Sequence, residues 1–144
     1  MSIRRSLSPV LLAWTIAFAS SLVAQEGLTV SVRLTTIPVE PATVEGLTGF
    51  GSATASLDGN LLTVTGSFEG LQSAATGARL HEAPKGLRGP AFVDLDVTSG
   101  TSGKIDGNVT LTPEQADRLR GGHVYLQLQS EEAPDGNLRG WLLP

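Results

Sequence analysis

The sequence predicts an all-β domain, an antiparallel sandwich or barrel of about eight short strands with one short helix. Three observations predict it. Beyond residue 27 the apolar residues recur mostly with period two, which puts alternate side chains on one buried strand face. Gly, Pro, Asp and Asn clusters interrupt this alternation at short intervals, as turns between antiparallel strands require. One segment alone carries paired helix start and stop signals.

Taken in order, Leu28, Val30, Val32 and Leu34 share the inward face of a first strand, with Thr29, Ser31 and Arg33 opposite, and Pro38 and Pro41 end it. On a second strand Gly49, Gly51, Ala53, Ala55 and Leu57 alternate with Phe50, Ser52, Thr54 and Ser56. Asp58-Gly59-Asn60 turns the chain into a third, with Leu62, Val64, Gly66 and Phe68 inward; Asp-Gly supplies the left-handed backbone of a hairpin turn. The small inward residues here imply that another backbone or a bulky side chain approaches closely. Ala78 and Leu80 mark a fourth strand, with Arg79 and His81 on its opposite face. On a fifth, Ala91, Val93, Leu95 and Val97 face inward and alternate with Phe92, Asp94 and Asp96. A polar loop over 98–103 leads to Ile105, Val109 and Leu111 of a sixth.

The helix comes next, with Thr112 as N-cap, Pro113 at the first helical position, Gln115 as capping-box partner and Gly121-Gly122 stopping it after Leu119. Val124, Leu126 and Leu128 face inward on a seventh strand, with His123, Tyr125, Gln127 and Gln129 outward. Pro134-Asp135-Gly136 then leads to Leu138, Gly140 and Leu142 of the last strand.

Residues 1–24 read as an export signal, with Arg4 and Arg5 as basic region, Val10 to Phe18 as apolar region, and cleavage after Ala19 or Ala24. Arg4-Arg5 before Ser6-Leu7 also resembles a twin-arginine signal, so the general and twin-arginine export routes both stay open. The apolar run is shorter than the about 20 residues needed to span a bilayer. The expectation is a secreted or periplasmic protein, with residues 25–144 forming a single domain and no membrane attachment after cleavage. The chain has no cysteine, so disulfides and a lipidated cysteine are excluded and stability rests on the packed core.

The chain carries 10 Lys and Arg against 14 Asp and Glu. Removing residues 1–24 takes away Arg4 and Arg5 and no acid, leaving 8 − 14 = −6. No basic cluster remains, and aromatic residues make up only 5%, too few for stacking platforms, which argues against a nucleic-acid partner.

Four segments stand in a recognisable order: ATASLDGNLLTVTGSFEGL after Gly49, LHEAPKGLRGPAFVDL, LTPEQADRLRGGHVYLQLQS, and APDGNLRGWL. Together they resemble the chordin-type CHRD domain from Val30 to Leu142, a family found in chordin and in many exported microbial proteins of unassigned role. The resemblance implies an immunoglobulin-like or barrel-like β domain whose molecular activity is poorly defined. Chordin itself antagonises growth-factor signalling, and no motif here maps onto that activity. Many members resemble A-H-I-H at the fourth strand and end the seventh with a further histidine before threonine, a set able to converge on a metal. Here Arg79 takes the first position and Gln129-Ser130 ends the seventh strand, so His81 alone remains of three imidazoles.

The reading is therefore an exported, non-catalytic binding or structural module without cofactor, its partner another exported protein or a cell-surface component. The binding candidates are Arg79, His81, Asp94, Gln127, Gln129 and Arg139, with the loops Glu82 to Gly89 and Ser130 to Asn137 making contacts. Arg139 on the last strand is suited to fork onto a carboxylate and pin that strand, with Asp94 or Glu82 as the expected partner. The alternative is a metal-binding or redox-associated extracytoplasmic domain in which His81 recruits oxygens from Glu82, Asp94 or Asp96. No catalytic residue is assigned: G-x-S-x-G and H-E-x-x-H are absent, and Glu131 and Glu132 would point to opposite faces of an extended chain. Asn108-Val109-Thr110 matches a glycan sequon, in a mid-strand position that disfavours its use.

Overall fold

The computed structural model describes residues 27–37 and 47–144; the leader with its cleavage points, and Pro38 and Pro41, lie outside the described residues. Among these residues there are eight antiparallel strands, β1 (Leu28–Thr36), β2 (Phe50–Asp58), β3 (Leu61–Glu69), β4 (Ala75–Glu82), β5 (Ala91–Val97), β6 (Gly103–Thr110), β7 (Val124–Ser130) and β8 (Leu138–Trp141). They close into a barrel in the order β1-β2-β3-β6-β5-β4-β7-β8. One helix among the described residues, α1 (Pro113–Arg120), joins β6 to β7. No helix among the described residues is long and apolar enough to cross a membrane.

Period-two alternation fills the interior. Leu34, Leu62, Leu80, Ile105, Leu126, Leu128 and Leu138 are all fully buried there, and each such side chain stabilises the fold by about 2 kcal/mol relative to exposure. The β2–β3 hairpin closes through Gly59-Asn60, with Gly59 at φ 59°. The small inward residues of this hairpin do meet a backbone: a Cβ on Gly51 would lie 2.5 Å from the Ser67 carbonyl.

The helix forms where expected because its cap is complete. Thr112 accepts from the Gln115 amide, and the Gln115 side chain accepts from the Thr112 amide in return. Ala116 and Leu119 join the core, while Arg120 donates to the Gly59 carbonyl and Arg118 pairs with Glu82, fastening the helix to the hairpin and to β4.

Closure uses two long arcs joined at two short seams. β1 pairs with β2 from Leu28 to Leu34 but with β8 only at Thr35↔Arg139 and Thr36↔Leu138. Likewise β5 pairs with β6 only at Asp96↔Asp106 and Val97↔Ile105.

Two sequence expectations are corrected. A bulge between Leu80 and His81 sets His81 opposite Ala91, so Ala91 turns outward and Phe92 packs partly against the core, the reverse of strict alternation. The outward face of β7 is not open to solvent either, because every residue from Val124 to Ser130 is buried. What covers that face defines the functional candidate.

Candidate functional site

Antiparallel register gathers the six candidate residues on one outer face. Asp94, Arg79, Gln127, Arg139 and Thr35 form a single row across β5, β4, β7, β8 and β1. In the next row stand His81, Tyr125 and Trp141. Gln129 lies on the other side of the first row, opposite Gly77, with its Oε1 buried and without a hydrogen bond among the described residues.

Arg139 is the centre of this face. It is only 9% exposed, and its Nε donates to Gln127 Oε1 at 3.0 Å while its Nη2 donates to the same oxygen. Gln127 is held in turn by donating to the Asp135 carbonyl at 3.1 Å. The guanidinium carbon lies 4.9 Å from the Tyr125 ring centroid and 5.7 Å from that of Trp141, within range of cation–π attraction. Burial pushes the guanidinium below its ordinary pKa; Tyr125 opposes this and Arg88 adds to it. The carboxylate partner expected from the sequence is not there. Asp94 pairs with Arg79 at 2.9 Å and Glu82 with Arg118 at 3.0 Å, and no carboxylate among the described residues pairs with Arg139.

Two loops cover the face from opposite sides. In the first, over residues 83–90, Gly89 donates its N–H to the Tyr125 hydroxyl at 3.2 Å, and its carbonyl accepts from that hydroxyl and from His81 Nδ1. Only glycine fits, because a Cβ there would sit 1.8 Å from the Glu82 carbonyl oxygen. Trp141 Nε1 donates to the Ala83 carbonyl of the same loop. In the second, over residues 131–137, Asn137 is fully buried: it accepts from Ser130 Oγ and donates to the Thr48 carbonyl. The N-L-R-G run thus has a reason at each position. Asn137 fastens the loop, Leu138 enters the core and Arg139 occupies the outer face. Gly140 admits β1, since a Cβ there would lie 2.6 Å from the Arg33 carbonyl.

Beside this ladder, along the β1–β8 seam, lies a groove of about 350 Å³ whose lining includes Arg33, Thr35, Lys85, Arg139, Trp141 and Leu143. A second hollow of about 770 Å³ over Phe50 and Phe68 adjoins it through Arg33 and Thr35 and contains Glu69.

The family model for the CHRD domain matches residues 30–142. The chain belongs to the CHRD domain family. No curated protein and no solved structure matches it.

Within this CHRD domain, His81 is a packed residue. Its ring stacks on Tyr125 at 4.7 Å and 10°. Because a carbonyl can only accept, Nδ1 carries the proton toward Gly89, and the Nε2 lone pair is left buried and unpaired among the described residues. Burial, helped by the charges of Arg139 and Arg79, holds the imidazole below its ordinary value against the opposing Gly89 bond. The unfolded chain therefore takes up the proton first as pH falls, so this contribution to stability is complete above about pH 6.5 and is lost as pH drops through and below that value. Urea midpoints measured from about pH 7.5 to about pH 5.5 should decline in the wild type and decline less in His81→Phe, which keeps the stack. Equal slopes would refute the assignment.

The metal alternative finds little to work with. The Asp94 and Glu82 oxygens are engaged by arginines, and among the described residues no three His, Cys, Asp or Glu side chains cluster as a metal site requires. The candidate face and groove of this CHRD domain also include residues outside the six candidates. Tyr125 and Trp141 were detectable, since period two puts them on the face of Gln127 and Arg139. Arg33 and Lys85 were not, because only the β1–β8 closure and the folded-back loop bring them there.

Proposed function

We propose that this protein is an exported, non-catalytic binding module of the CHRD type, and that the seam groove beside Trp141 receives its ligand. One observation carries the reading: a buried cation, Arg139, is fixed on a strand by Gln127, Tyr125 and Trp141 and borders an open groove without a carboxylate partner among the described residues. A charged group locked by its surroundings and turned toward a cavity suits recognition. The described residues about the groove form no nucleophile–base pair, and the signal-like leader supports action outside the cytoplasm, in the periplasm or secreted, on a component found there.

The purified protein should be titrated with a panel of anionic, neutral and cationic small molecules while the Trp141 indole N–H is followed by NMR. A saturable shift with at least one compound, without turnover of it, is the expected result. A panel that leaves Trp141 unmoved, or zinc or copper shifting the His81 ring at micromolar concentration, would overturn the reading.

A further inference from the structure

The distribution of charge on the barrel is uneven in a way that specifies a ligand. Eight lysines and arginines lie between residues 27 and 144. Arg79, Arg118 and Arg120 are ion-paired. Of the five that pair with no carboxylate among the described residues, Arg33, Lys85 and Arg139 line one groove at the β1–β8 seam, in a domain that is acidic overall. Among the described residues no Asp or Glu contributes to that lining, whereas the neighbouring hollow contains Glu69. Three cations converge from three separate parts of the chain, β1, the 83–90 loop and β8.

The seam explains the convergence. Thr35 lies across from Arg139, and continuing that antiparallel register by two residues sets Arg33 across from Trp141. Arg139 spends Nε and Nη2 on Gln127, which leaves Nη1 without a hydrogen bond among the described residues. The rest of the groove is largely apolar, with the Trp141 ring, Leu143 and Val32 forming its flank.

Resting on the binding reading above, we propose that the groove is a site for a small organic carboxylate with an apolar body. The carboxylate lies among Arg33, Lys85 and Arg139, and the body lies against Trp141 and Leu143. Charge complementarity selects an anion. The apolar flank selects a weakly hydrated carboxylate over inorganic phosphate, which needs polar donors on every side. A groove of about 350 Å³ accommodates a small molecule.

The test uses benzoate as probe, benzamide as its uncharged counterpart and inorganic phosphate as charge without an apolar body. Benzoate should shift the Trp141 indole signal saturably, and benzamide should bind about tenfold more weakly or worse. Raising ionic strength should weaken benzoate binding. The double variant Arg33→Gln, Lys85→Gln changes two exposed side chains, so it keeps its amide spectrum while losing about tenfold in benzoate affinity. Benzamide matching benzoate, phosphate outcompeting it, or the double variant retaining full affinity would each overturn the carboxylate site. If benzoate fails while a neutral or cationic compound moves Trp141, the carboxylate assignment falls and the binding reading stands. If nothing moves Trp141, both fall.

Discussion

Arg139→Lys is expected to lower the melting temperature by roughly 10 °C, although the charge is conserved. Lysine cannot reproduce the fork onto Gln127 Oε1 or the planar contact with Tyr125 and Trp141. The amide oxygen of Gln127 is left unsatisfied on a buried face. The loss amounts to about 2–3 kcal/mol, and a domain of this size shifts by about 4 °C per kcal/mol. The double variant Arg139→Met, Gln127→Leu removes both partners and the desolvated charge, so it should recover most of that stability. Thermal unfolding followed by circular dichroism measures both. A lysine variant that melts with the wild type would show that the fork does not hold β8, whereas a double variant as unstable as the lysine variant would show that removing the unsatisfied amide and the desolvated charge does not restore the barrel.

The second large effect is at Gly89. Alanine there would drive its Cβ into the Glu82 carbonyl, a backbone atom unable to rotate away. The loop must then lift, and both Gly89 contacts to Tyr125 and the one to His81 are lost with it. The expected destabilisation is about 3 kcal/mol or more. Gly86 in the same loop provides the contrast, since it has φ 89° but open space within 4 Å of its Cβ position. Gly86→Ala should cost only about 1 kcal/mol, from backbone conformation alone. Urea midpoints compare the two, and hydrogen exchange at Tyr125 should accelerate only in the Gly89 variant. Equal effects from both substitutions would rule out the steric explanation.

Which parts of this molecule were legible in the sequence follows from the range of the signals. Strand faces and the helix are local, so alternation placed Val30, Leu80 and Leu126 inward and the Thr112–Gln115 box located the helix start. The six candidate residues share a face because parity alone assigns faces. The shift at Leu80/His81 defeated that logic for Ala91 and Phe92, since a bulge inserts a residue without an obvious local marker. Charge partners were harder still. Whether Arg139 meets Asp94, Glu82 or Gln127 depends on strand order, and in the actual order β7 lies between β4 and β8. Covering of the β7 outer face by two loops was equally non-local. Even so, the GLRGP and PDGNLRG runs contained the glycines that allow it.

Closure of the eight strands also limits how a partner can engage this protein. An open sheet invites a guest segment to extend it through main-chain hydrogen bonds, a mode tolerant of guest sequence and prone to uncontrolled self-association. A barrel closed by β1 against β8 confines such edges, among the described residues, to the two short seams. On the binding reading proposed above, recognition therefore falls mainly to side chains such as those of Arg33, Lys85 and Trp141. The same closure limits self-association through strand edges in a chain that has no cysteine to cross-link it.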